Sequence, residues 1–271
     1  MTGLPEDLDF RGLQTLDGNT VTVMSAGLGE KSRIYRTIDA GIHWTLVYQN
    51  TVPQAFFDDV RFFDFRFGLV IGDPVDGAFF ILSTFDAGAT WQRQDGPTAE
   101  VDEGAFAASN SSLAVDRSGH AWFGTGGVRG GRIYSSDDYG RTWVVSDSTI
   151  RHDTAESGVF SISFHDSKHG YAIGGDYKKP GDKESVFAES NDRGISWHTA
   201  AGPSGYRSAV AVHDRYVFVT GPSGSEFRLA AKGKKWQPIA GEGFNALSVP
   251  AKGKMIWACG DKGRIAHFEY R

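Results

Sequence analysis

One eight-residue pattern, Ser/Thr-x-Asp-x-Gly-x-x-Trp, occurs four times along the 271-residue chain. The copies run from Thr37 to Trp44, from Thr84 to Trp91, from Ser136 to Trp143 and from Ser190 to Trp197. A decayed fifth keeps only Gly233 and Trp236. Successive tryptophans stand 47, 52, 54 and 39 residues apart, the length of one blade of a β-propeller. The residue types describe a tight turn. An aspartate bonds turn amides and a glycine takes a positive φ. The Ser or Thr bonds across the same turn, and the Trp buries a large ring between neighbouring sheets. Asp39, Gly41, Trp44, Asp86, Gly88, Trp91, Asp138, Gly140, Trp143, Asp192, Gly194 and Trp197 are therefore expected to be structural, in hairpins joining the last two strands of each unit.

Each turn follows two strand signals. The first is a β-rich run ending in Gly: Val21–Gly27, Leu69–Gly72, Ala121–Gly124, Tyr171–Gly174, Tyr216–Gly221 and Met255–Gly260. The second leads into the turn, as in Arg33–Thr37 and Gly131–Ser136. Ahead of both lies a further strand, with copies at Phe10–Leu13, Phe57–Val60, Ala105–Ala108, Val159–Ile162, Tyr206–Ala209 and Phe244–Leu247. No window holds a helical period. The expected fold is all-β, a single-domain propeller of six four-stranded blades. The blades fall at 9–49, 56–94, 104–148, 157–200, 205–239 and 243–271. The last lacks a fourth strand, and Met1–Leu8 is the expected donor. It would pair beside Arg264–Tyr270 and close the ring through the termini, leaving no open edge.

Composition narrows the function classes. Thirty-five glycines and 13% aromatics fit many turns between packed strands, and the glycines have no period of three. With 40% hydrophobic residues, the chain has the means to bury a core. No apolar run reaches transmembrane length. A single cysteine, Cys259, excludes an internal disulfide and a cysteine-built cluster, and a buried, inert thiol is expected. The net charge is −5, and the one basic run, Lys232–Lys235, is short, so no nucleic-acid partner is expected. Met1–Phe10 has neither the basic nor the apolar region of a signal peptide, which is expected either of a cytosolic protein or of a mature form.

The Asp-x-Gly-x-Thr-Trp repeat resembles the Asp-box, or bacterial neuraminidase repeat. The chain as a whole resembles the photosystem II stability/assembly-factor-like propellers, and more closely their relatives in non-photosynthetic bacteria. The resemblance is carried by Gly29–Arg36, Gly68–Gly77, Gly104–Ser109, His120–Gly127, Gly174–Pro180, Gly205–Val210 and Gly241–Ala246. It implies a non-catalytic binding or assembly scaffold, monomeric, without a cofactor, and periplasmic or secreted with the signal peptide absent from this chain. It also implies a seventh blade ahead of Phe10. Some relatives carry an oxidoreductase label.

The enzyme alternative is a sialidase-like or other glycoside hydrolase. The sialidase Arg-Ile-Pro signature is absent; Arg33-Ile34-Tyr35 and Arg132-Ile133-Tyr134 come nearest and lack the proline. A glycosidase needs two carboxyls about 5–10 Å apart. Glu103, Glu156, Glu242 and Asp58 start blades and are the candidates. The Gly124–Gly130 stretch misses the spacing of a dinucleotide fingerprint, because position 129 is Arg, so a glycoside hydrolase is favoured over an oxidoreductase. His165 and His169 do not share a helix face, and Asp73 with Asp76 reads as a plain turn rather than a cation loop; no metal is expected. What remains is geometric. The second residue of each first-strand copy is Arg11, Asp58, Phe106, Phe160, Arg207 or Asn245. Equivalent positions ring the propeller axis at one channel mouth. Loops Gly124–Arg132 and Gly174–Glu184 add Arg129, Asp176, Lys178 and Lys179. This mouth is the expected binding site, for a peptide, a protein or a small anionic ligand.

Overall fold

The computed structural model describes residues 2–230, 235–250 and 253–270. Gly233 of the decayed repeat and most of the Lys232–Lys235 run lie outside them. Blade one holds β1 (Asp9–Thr15), β2 (Val21–Ala26), β3 (Arg33–Thr37) and β4 (Thr45–Gln49). Blade two holds β5 (Phe57–Phe62), β6 (Gly68–Val75), β7 (Ala78–Thr84) and β8 (Gln92–Gln94). Blade three holds β9 (Leu113–Val115), β10 (Ala121–Gly124), β11 (Arg132–Ser136) and β12 (Val144–Asp147). Blade four holds β13 (Ser157–Phe164), β14 (Gly170–Asp176), β15 (Phe187–Ser190) and β16 (His198–Thr199). Blade five holds β17 (Ala209–His213), β18 (Tyr216–Gly221), β19 (Gly224–Leu229) and β20 (Gln237–Ile239). Blade six holds β21 (Ala246–Ser248), β22 (Met255–Gly260) and β23 (Arg264–Glu269). Every sheet is an antiparallel meander in chain order, and together they make a six-blade β-propeller. Among the described residues no helix is long and apolar enough to cross a membrane.

The repeated turn works as its residue types require. In blade three, Ser136 Oγ donates to Asp138 Oδ1 at 2.8 Å and accepts from the Gly140 amide at 2.9 Å. Asp138 also accepts from the Thr142 amide and hydroxyl, at 2.9 and 2.7 Å. The same bonds recur around Asp86 and Asp192, and around Asp39 with the His43 ring nitrogen in place of the hydroxyl. The residue between Asp and Gly is left-handed in all four, Ala40, Ala87, Tyr139 and Arg193 at φ 58, 61, 65 and 69°. The following glycines also have positive φ, so each turn holds two successive residues in that region.

The tryptophans carry the core between blades. Trp91 joins Met24, Ile34 and Val70 between blades one and two. Trp143 packs on Phe123 and Tyr134 between blades two and three. Trp197 joins Trp122 and Ile162 between blades three and four. Trp236 packs with Phe187 and Val219 between blades four and five. A fifth cluster, of Phe218, Ile256 and Tyr270, joins blades five and six. Among the described residues no such cluster joins blade six to blade one. There, a cleft of about 820 Å³ separates them.

Three expectations are corrected here. The N-terminal segment does not complete blade six: blade six has three strands among the described residues. Instead Thr2 bridges His43, donating to Ile42 at 3.1 Å and accepting from the Trp44 amide at 2.9 Å. Gly3, at φ 100°, lets the chain press onto this hairpin; a Cβ there would stand 2.4 Å from the Trp44 carbonyl oxygen. Pro5 brings no amide to a ladder. The second correction is that Ala105–Ala108 is not a strand. Blade three takes Leu113–Val115 as its inner strand, and the residues before it form a strap that bonds to neighbouring blades. The third is Cys259, which is exposed on the cleft face of β22 rather than buried.

Candidate channel-mouth site

The inner strands of three blades carry a β-bulge at the same point. The register slips between Phe10 and Gly12, between Phe57 and Asp59, and between Val159 and Ser161. The residue in each slip is Arg11, Asp58 or Phe160. A bulge re-aims one side chain without breaking the strand; in these three blades it sets Arg11 at the cleft, buries Asp58 and stacks Phe160 on Phe106. No bulge is legible in the sequence, but the alignment of repeats picks the residues that occupy it.

The strap, residues 104–112, stitches four blades together at this mouth. Gly104 exchanges backbone bonds with Gly126 of its own blade, at 2.8 and 3.1 Å. Phe106 stacks on Phe160 of blade four, centroids 3.8 Å apart and planes 11° from parallel. Arg11 of blade one donates to the Ala107 carbonyl at 3.2 Å. Asn110 brackets Leu13, donating to its carbonyl at 3.1 Å and accepting from its amide at 3.2 Å. Ser111 bonds Ser161 at 2.7 Å. Just beyond, the Leu113 amide donates to Asp59 of blade two at 2.9 Å.

Two kinds of chemistry gather around the strap. The first is aromatic: Phe160 also meets Tyr206 and Tyr177 edge-on, at 5.0 and 6.1 Å. The second is acidic. Asp58 is only 1% exposed. Its Oδ2 has no hydrogen-bond partner within the protein, and burial, then Asp73 and Asp59, pushes its carboxyl well above the usual range. Burial also raises Asp73, to about 6, against the opposing bond from the Ala105 amide at 3.0 Å. Asp59 is raised by burial too, offset by Arg61 and its backbone donors.

The expected residues divide. Arg11 is half-exposed, bonded to Asp9 at 2.8 Å, and lines the blade-six/blade-one cleft together with Asn245. Asn245 is tied to Asp261 at 2.7 Å. Asp58 lies within electrostatic reach of Arg11. Phe106 and Phe160 meet, though through strap and bulge rather than through equivalent strands. Arg207 does not join them. It is 1% exposed, and donates to Glu226 at 2.7 Å, Ser204 at 2.7 Å, Ser223 at 2.8 Å and the Tyr206 carbonyl at 2.8 Å. Arg129 is exposed on the β10–β11 loop. Lys178 pairs with Glu156, and Asp176 with Lys179 at 3.5 Å, both on the β14–β15 side of blade four.

Of the carboxylates weighed for hydrolysis, Glu103 is buried against Arg132 and Tyr134, while Glu156 and Glu242 are paired with Lys178 and Arg264. Asp76 sits at φ 53° in the two-residue hairpin between Val75 and Ala78. Sequence reasoning missed Asp59 as a partner of the strap, and missed Leu13, Trp257 and Ile265 as exposed walls of the cleft.

No family model matches the chain, and no curated protein matches it in sequence. Solved structures do. A structure of YCF48 bound to D1 peptide is 16% identical over 98% of this chain and 80% of its own, with a TM-score of 0.60. YCF48 from Cyanidioschyzon merolae is 16% identical over 98% and 83%, TM-score 0.61. The GH74 enzyme of Niastella koreensis is 18% identical over 96% of this chain but 42% of its own, TM-score 0.71. At such identities the likeness concerns the fold: peptide-bound and hydrolytic propellers share the architecture seen here.

Proposed function

We propose that this chain is a non-catalytic propeller scaffold, its turns of the Asp-box type, that binds a peptide or a small anionic group at the channel mouth. One observation carries the reading. Arg11 is held by Asp9 and the strap at the rim of a cleft of about 820 Å³, with Asn245 of blade six across from it. A guanidinium so placed suits a carboxylate, and the neighbouring aromatic rings offer an apolar surface. The peptide-bound YCF48 structure of the same fold supports the peptide class. The test is a calorimetric titration with short peptides ending in a free carboxylate, against the same peptides amidated. Carboxylate-dependent binding that falls at least tenfold in Arg11→Ala is the expected result. Equal binding of both peptide forms overturns it.

A hydrolase is the second reading, favoured by one observation: Asp58 and Asp73 are two raised carboxyls at the same mouth, in a fold shared with GH74 enzymes. Hydrolysis of a soluble β-glucan that is lost in both Asp58→Asn and Asp73→Asn would replace the first reading with this one.

A further inference from the structure

The fourth strand of a propeller blade has no neighbour on its outer side, and an unpaired edge invites another strand. Of the five fourth strands among the described residues, four carry a guard against this. β4 is bulged where Val47 interrupts its register on β3, and Thr2 lies against His43 just ahead of it. β8 is polar throughout, Gln92, Arg93 and Gln94. β16 is two residues long. β20 holds Pro238 at its centre. β12 has none of these devices. It reads Val144-Val145-Ser146-Asp147 and pairs on β11 without a break in register. Val144 is 70% exposed and Val145 44%. The strand closes a complete sheet in the middle of the chain.

One bond sets the direction of its backbone groups. The Ser148 amide donates to the Gly131 carbonyl at 3.0 Å, continuing the register of the Asp147–Arg132 and Ser146–Ile133 pairs. Ladder bonds between antiparallel strands alternate along each strand. Val144 and Ser146 therefore turn their amides and carbonyls toward β11, and Val145 and Asp147 turn theirs outward. A second bond sets the faces. The Ser146 hydroxyl donates to the Gly194 carbonyl of blade four at 3.1 Å, so Val144 stands on the side of blade four. Val145 stands on the other side with Trp143, which packs toward blade two.

The charges at its ends say what fits this edge. Arg141 precedes the strand and Asp147 ends it, both exposed. A second copy turned about a two-fold axis at Val144 is complementary to them. Trp143 then lies opposite Val145 of the second copy, and their outward amides and carbonyls bond. The two Val144 side chains meet at the axis, in a non-bonded pair, where side chains of antiparallel strands come closest. Arg141 of each copy lies at the Asp147 end of the other, an opposite-charge contact at each end of the join. Such an edge matches itself, as a two-fold interface requires.

We propose that β12 is a self-association edge, through which two copies of this chain join blade three to blade three, antiparallel about Val144, in one continuous sheet. The resemblance read from the sequence implies a monomer; the unguarded edge argues for a dimer. The join lies on the outer rim of blade three, apart from the channel mouth.

The test is sedimentation velocity of the whole chain over a dilution series, where a monomer–dimer equilibrium is expected. Val144→Lys, which sets like charges together on the axis, should weaken the dimer at least tenfold. Val145→Pro should do the same, because the amide it removes points outward and serves no bond to β11. Melting curves of both variants, taken at dilutions where the parent is monomeric, should match the parent. Arg141→Asp and Asp147→Arg should each weaken the dimer, and the double variant should restore it. Leu46→Lys, on the guarded β4 edge, should leave it unchanged, as should Arg11→Ala, which separates this proposal from the one at the mouth. A chain that stays monomeric throughout the series overturns the proposal. So does a dimer that survives Val144→Lys, a double charge variant no better than the single ones, or equal weakening by Leu46→Lys.

Discussion

Phe106 and Phe160 lie face to face at 3.8 Å, although one comes from the strap of blade three and the other from a bulge of blade four. Their contact pins the strap across the mouth. Phe106→Ala should loosen residues 104–112 specifically. A half-buried aromatic truncated in this way costs about 1–3 kcal/mol. Faster hydrogen exchange confined to the strap and the 157–163 segment is expected; uniform acceleration through the protein would contradict it.

Asp73 gives the fold a pH dependence of defined sign. Its carboxyl is raised to about 6 in the folded protein, against roughly 3.9 when unfolded. Between these values the folded state holds the proton and the unfolded state does not, so this group makes stability fall as pH rises from about 4 to 6. At pH 7.5 the cost is about 3 kcal/mol. Asp73→Asn keeps an acceptor for the Ala105 amide and removes the charge. It should raise the melting temperature at pH 7.5 and change it little at pH 4. An equal shift at both pH values would be the wrong result.

The turn aspartates act in the opposite direction. Hydrogen bonds from the turn lower Asp86, Asp138 and Asp192 despite the opposing effect of burial. Their stabilisation is present above the unfolded carboxylate range and is lost as pH falls below it. Asp138→Ala should cost about 1–2 kcal/mol at neutral pH and leave the peptide affinity of the mouth unchanged. Denaturant melts of the variant at pH 7, alongside a titration, check both halves.

Arg207 is predicted to be structural. Removing it leaves Glu226 buried without its charge partner, a loss of about 3–5 kcal/mol. Arg207→Met alone should therefore destabilise strongly, and Arg207→Met with Glu226→Leu should recover most of the loss. Failure of the double variant to recover would mean that the arginine serves something other than this pair.

The blades were legible because their turns are chemically explicit. Thr84, Asp86, Gly88 and Trp91 each have one job, and four copies fix the period. The mouth was half legible for the same reason: aligned repeats pick Arg11, Asp58 and Phe160. What alignment hid was tertiary. The strap displaced the inner strand expected at Ala105–Ala108, since Asn110 offers Leu13 the pair of backbone-like bonds that a neighbouring strand would. Arg207 holds the right position in the repeat, but Glu226 lies within reach on β19 and draws the guanidinium into its own blade. The N-terminal segment read as a strand by default, whereas Gly3 fits it to the Trp44 hairpin.

Among the described residues no apolar cluster joins blades six and one, and this changes how the molecule should come apart. A closed ring has no ends, and each blade is gripped on both flanks. Here the blades behave as a linear array bent into an arc, in which stability is a sum of unit and nearest-neighbour terms. Blade six is held on one flank, through Phe218, Ile256 and Tyr270. Blade one is held on one flank as well, through Met24 and Ile34, but the strap fastens it a second time at Arg11 and Leu13. Unfolding should thus begin at blade six and travel inward toward blade four, leaving the strap-bound half as the last part to melt.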